Sequence, residues 1–166
     1  MKKSILVILL LAMSSLVFSQ VIELKEVEIT AVNYKYLSAV DSDETPISVK
    51  ELEKKVAMYD IKSSEFYNDE YSTYNISFYI PDGKILAAYD KNGKLIRTIE
   101  KFKNVKLPKA VSSAIAERFP NWSMVSDVYQ VVFHKSNDTA KKQYKVRLEN
   151  GDKKMKVKLD EKGNFQ

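Results

Sequence analysis

The chain has 166 residues, a formal net charge of +5, no cysteine, and four glycines and four prolines. Without cysteine there can be no disulfide, thiolate metal site or cysteine nucleophile. So few glycines and prolines argue against linkers and low-complexity tracts, and a chain this long suffices for one domain burying about 70% of its unfolded surface. The bulk charge hides an asymmetry: residues 20–83 carry a balance of −7 and residues 84–166 one of +10. Two such halves either neutralise each other or leave a charged surface for a partner.

In chain order, Lys2 and Lys3 precede an unbroken apolar run from Ile5 to Met13, and Val17 and Ser19 are the small residues before Gln20. That is the pattern of an export signal over residues 1–19, cut after Ser19. The run is too short to span a bilayer, and no cysteine follows to carry a lipid. A periplasmic or secreted protein is expected, without stable membrane insertion.

A strand near Glu26–Tyr36 is followed by a helix opening at Thr45-Pro46, with Val49, Leu52, Val56 and Tyr59 inward. Thr45 can cap it, or Ser48 with Glu51 can form a capping box. Further strands are expected near residues 62–67, 73–80 and 84–90, the last two joined by a turn at Asp82-Gly83. The second half starts with an alternating strand, Lys94–Lys103. Leu107-Pro108 then opens a helix with Val111, Ala114, Ile115 and Phe119 on one face, and Pro120 ends it. Three strands close the chain, near residues 122–134, 141–149 and 153–159.

Two stretches echo each other, "YDKNGKL" at residues 89–95 and "LDEKGNF" at residues 159–165. They suggest one unit used twice, residues 20–93 and 94–166. The expected fold class is α+β, as two tandem repeats, each a helix on an antiparallel sheet of about four strands.

The positions Asp90, Gly93, Leu107-Pro108, Val111, Ile115, Phe119-Pro120, Tyr144, Val146, Leu148, Gly151, Asp160 and Gly163 resemble the PepSY-like family of exported bacterial proteins. The match is best over residues 89–166. The resemblance implies a fold similar to that of a tandem β-lactamase inhibitor protein. It also implies non-catalytic binding, inhibition included, with an exported protein as partner.

The residues themselves offer little catalytic chemistry. His134 is the only histidine, and there is no HExxH, P-loop or GxGxxG. Asp41, Asp43 and Glu44 in "DSDET" lack the turn glycine and distant glutamate of an EF-hand, so an acidic loop ahead of a helix is the simpler account. No catalytic residue, metal or cofactor is expected, and no nucleic-acid partner.

Two surface features stand out. With an Asp82-Gly83 turn, Tyr79 faces Leu86 on a nearly uncharged outer face. With an Asn150-Gly151 turn, Val146 pairs with Met155 and Tyr144 with Val157 on the helix-covered side. On the other side Arg147 pairs with Lys154, Lys145 with Lys156, and Gln143 with Lys158. Facing like charges destabilise a strand pair. Lys145, Arg147, Lys154, Lys156 and Lys158, with Tyr79 and Leu86, are therefore the candidate partner-binding residues. A lysine-rich edge that discourages aggregation is the competing account, and a small ligand or polyanion in the cell envelope is the alternative to a protein partner.

Overall fold

The computed structural model describes residues 33–137 and 139–166. The export signal and most of the strand expected over Glu26–Tyr36 lie outside the described residues. The chain forms α1 (Tyr34–Val40), α2 (Ile47–Ala57), β1 (Thr73–Ile80), β2 (Gly83–Asp90), β3 (Leu95–Lys103), α3 (Lys109–Arg118), β4 (Ser123–His134), β5 (Ala140–Asn150) and β6 (Lys153–Leu159). This is an α+β fold: among the described residues, three helices lie on one antiparallel sheet whose six strands follow chain order.

Alternation along each strand sends one set of side chains under the helices. Phe78 of β1, Ile85, Ala87 and Tyr89 of β2, Phe102 of β3, Tyr129, Val131 and Phe133 of β4, and Tyr144, Val146 and Leu148 of β5 share one core. Tyr36, Val40, Val49, Leu52, Val56, Val111 and Ile115 reach that core from the helices. Fully burying one such aliphatic or aromatic side chain contributes about 1.5–3 kcal/mol. The opposite face of the sheet carries no helix among the described residues.

Among the described residues, two stretches expected to lie in strands, 34–36 and 62–67, do not. Tyr34–Tyr36 open α1 instead. There the Tyr36 hydroxyl donates to Glu100 Oε1 at 2.9 Å and its ring meets Phe133 edge-on. Residues 62–67 form turns: the Asp60 carboxylate accepts from Lys62 N and Ser63 Oγ, and Ser64 Oγ donates to Ile61 O. Such local side-chain bonds compete with a ladder for the same backbone groups. The sheet is also continuous across the boundary expected at residue 93. It joins the halves through β3, which pairs with β2 on one side and with β4 on the other.

Pro46 and Pro108 stand at the N-caps of α2 and α3, and neither helix has a side-chain cap there, so neither Thr45 nor Ser48 plays that part. The acidic loop serves α3 instead: Glu44 Oε1 accepts from Lys109 N at 3.3 Å, at the end where the helix dipole favours negative charge. Asp41 pairs with Lys50 at 3.2 Å.

Both two-residue hairpin turns sit one residue from their expected places. In β5–β6 the central residues are Gly151 and Asp152, with Asn150 opposite Lys153. Gly151 takes φ +56° while its neighbours do not turn left-handed, the arrangement of a turn that needs glycine only at its first central position. In β1–β2 the central residues are Pro81 and Asp82, with Ile80 opposite Gly83. Proline presets the first turn position and glycine follows the turn. Each pairing thus moves by two residues, which keeps every side chain on its expected face and changes only its partner.

The echo is real as a turn. Asp90 Oδ1 accepts from Asn92 N and Lys94 N, Gly93 N donates to Asp90 O, and Gly93 has φ +79°. Asp160 Oδ1 accepts from Lys162 N and Asn164 N, Gly163 N donates to Asp160 O, and Gly163 has φ +84°. The first turn links β2 to β3; the second folds Phe165 back beside Leu159. Gly163 is doubly constrained, because a Cβ there would lie 2.6 Å from the carbonyl oxygen of Ala110 in α3. At Gly151 a Cβ meets nothing within 4 Å. Gly151→Ala should cost only left-handed strain, about 1–2 kcal/mol, and Gly163→Ala clearly more. Equal losses in urea melts of the two variants would show that the α3 contact does not matter.

Candidate functional site

The uncovered face is built by strand register. One row across it reads Tyr79, Lys84, Lys101, Gln130, Gln143, and the next Ser77, Leu86, Ile99, Val132, Lys141. A third reads Lys103, Val128, Lys145, Lys158, and a fourth Ser126, Arg147, Lys156. Arg97 and His134 face each other beyond them. The candidate residues Lys145, Arg147, Lys154, Lys156, Lys158, Tyr79 and Leu86 all lie on this face. Their partners differ from those expected: Tyr79 faces Lys84 and Leu86 faces Ser77, Lys145 faces Lys158, Arg147 faces Lys156, and Lys154 faces Glu149.

Like charges therefore stand opposite one another at Lys84–Lys101, Lys145–Lys158 and Arg147–Lys156. Each such pair costs a fraction of a kcal/mol up to about 1 kcal/mol. Carboxylates on the face are few. Glu149 lies 3.6 Å from Arg147 Nε and 3.7 Å from Lys154 Nζ, and Asp90, at the end of β2, lies 4.0 Å from Lys135 Nζ. Leu86, Ile99 and Val132 form an apolar row, each more than a third exposed. Lys84, Lys101 and Lys103 were not singled out from the sequence. The signal was there, since Lys101 and Lys103 alternate with the inward Glu100 and Phe102.

No family model and no curated protein matches the chain.

Under the helices lies a second cluster that the apolar pattern did not reveal. Glu53 of α2 and Glu100 of β3 are both buried. Glu100 Oε1 accepts from Tyr36 OH at 2.9 Å and Thr98 Oγ1 at 2.7 Å. Burial, then the nearby Glu100 charge, pushes Glu53 up to about 9, so the pair favours holding a proton. Burial also raises Glu100, and the hydrogen bonds from Thr98, Tyr36 and Glu53 hold it back. Glu53 Oε1, Glu100 Oε2 and Tyr129 OH have no hydrogen-bond partner among the described residues, which makes a second negative charge there costly. Nearby Lys142 donates to Asp41 O at 3.1 Å and pairs with Glu161 at 3.2 Å.

Both carboxyls lie on the helix-covered side, whereas His134 stands on the open side, its Nδ1 2.8 Å from Ser136 Oγ. The sheet separates the histidine from the perturbed carboxyls. They do not form one acid–base site.

Proposed function

We propose that the chain is an exported, non-catalytic binding module whose open sheet face takes an acidic protein partner. The observation that carries this reading is the set of facing like charges on a surface no described element covers. Folding gains nothing from Lys84 opposite Lys101 or Lys145 opposite Lys158, whereas a partner's carboxylates would turn each pair into an attraction. The row of Leu86, Ile99 and Val132 favours a protein over a simple polyanion. A polyanion would satisfy the lysines and leave that row in water, while an acidic protein surface with an apolar centre covers both.

The resemblance to PepSY-like proteins supports a periplasmic or secreted module that inhibits or regulates an exported enzyme. On this reading the two Asp-x-x-Gly turns are the ends of a duplicated unit, residues 20–93 and 94–166.

Capture from the cell envelope and culture fluid by wild type and by Lys84→Gln/Lys101→Gln/Lys145→Gln/Lys158→Gln tests it. The wild type should hold one acidic protein at about 50 mM salt and lose most of it by about 500 mM. The variant should fold as well or slightly better and lose the partner at both. Equal capture by wild type and variant at every salt concentration would refute the reading.

A further inference from the structure

The two edges of the sheet are protected very differently. β6 presents Lys153, Lys154, Lys156 and Lys158, and the C-terminal residues fold along its end, with Gln166 N donating to Lys158 O at 2.9 Å. β1, "TYNISFYI", has no charge, no proline and no bulge, and pairs with β2 in unbroken register from Thr73 to Ile80. Among the described residues β1 pairs with β2 alone. Lysines, bulges and covering segments are the ordinary means by which an edge avoids another strand. Among the described residues, the β6 edge has all but the bulge, whereas the backbone edge of β1 has neither lysine nor bulge, though Tyr67 and Tyr71 pack on its Tyr74 ring.

We propose that β1 is a self-pairing edge and that two copies of this chain join through it as an antiparallel β1–β1 ladder around a two-fold axis. An identical strand is the occupant the edge fits best, because an uncharged strand does not repel itself. Same-face pairing requires positions of equal parity to meet. A register centred on Ile76 meets that demand and sets the exposed Asn75 of each copy opposite the exposed Ser77 of the other, an uncharged cross-strand pair made twice. Eight residues paired this way supply about eight main-chain hydrogen bonds, within the range of a stable interface. Tyr71, exposed and edge-on to the Tyr74 ring at 6.2 Å, lies beside the new seam. Growth stops at two copies because the β6 edge is charged and partly covered.

A two-fold axis perpendicular to the sheet places both basic faces on the same side, so an extended acidic partner could engage both at once.

Sedimentation equilibrium of the purified full chain at about 1–100 µM, with hydrogen exchange on β1, is the test. The expected result is a mass twice that of the chain and slow exchange of alternate β1 amides. Asn75→Lys/Ser77→Lys changes two exposed positions on the open face and sets lysine against lysine across the seam. It should be monomeric, with fast-exchanging β1 amides and unchanged far-ultraviolet circular dichroism. A monomeric wild type at every concentration, a dimer that survives the double substitution, or assembly beyond two copies would overturn the proposal.

Discussion

Stability should fall as the pH is raised from about 5 to about 9, because the folded state holds protons on the Glu53–Glu100 pair that the unfolded chain releases. The sign follows from the direction of the shifts. A carboxyl whose folded pKa is raised contributes its full stability below the unfolded value, near 4.3, and loses it as pH rises toward the folded value. Each proton held only by the fold gives a slope of about −1.4 kcal/mol per pH unit. The groups facing the pair are Tyr36 and Thr98, which donate to Glu100, and the positive charge of Lys142, which partly opposes the shift in both carboxyls. Asp160, held low by Asn164, acts in the opposite sense and only at lower pH. Urea melts across this range provide the measurement. Glu53→Gln keeps the shape without the titration, so its slope should be shallower by about one proton and it should overtake wild type by about pH 8. A wild-type profile that stays flat over the window would mean that both carboxyls ionise freely.

Gly83→Ala should be the most damaging single methyl addition in the sheet. A Cβ there would lie 2.2 Å from Cδ1 of Phe102, the residue directly opposite on β3. Gly83 has no left-handed φ, so the demand is for space alone. Phe102 cannot yield easily: it is buried and stacks on Tyr129 at 6.2 Å, which stacks on Tyr144 at 4.6 Å. The expected loss is about 2–3 kcal/mol, the upper part of the range for overpacking a filled core. Phe102→Leu removes the ring and costs stability by itself, but the double variant should be less damaged than the two losses added together. Strict additivity in that cycle, or a neutral Gly83→Ala, would show that the ring does not confine this position.

The strands β1, β2, β3, β4, β5 and β6 and the helices α2 and α3 were legible in the sequence, because alternation, three-to-four spacing and Pro46, Pro108 and Gly151 are local signals. So was the side of the sheet on which Lys145, Arg147, Lys154, Lys156, Lys158, Tyr79 and Leu86 stand, since a pairing error of two residues does not change parity. The partners were not legible. A turn one residue off alters every pair in its hairpin, and only the positive φ of Gly151 and the proline at position 81 select the turn that forms. Tyr34–Val40 is a helix because Tyr36 has Glu100 and Phe133 to meet across the core, contacts that a local propensity cannot see. The burial of Glu53 beside Glu100 likewise needs α2 laid on the sheet. The joined basic face needs β3 paired with β4, which brings Lys84, Lys101 and Lys103 alongside Lys145 and Lys158 from the other end of the chain. Side-chain parity is local, whereas which strands and helices meet depends on the contacts that remote parts of the chain make once packed.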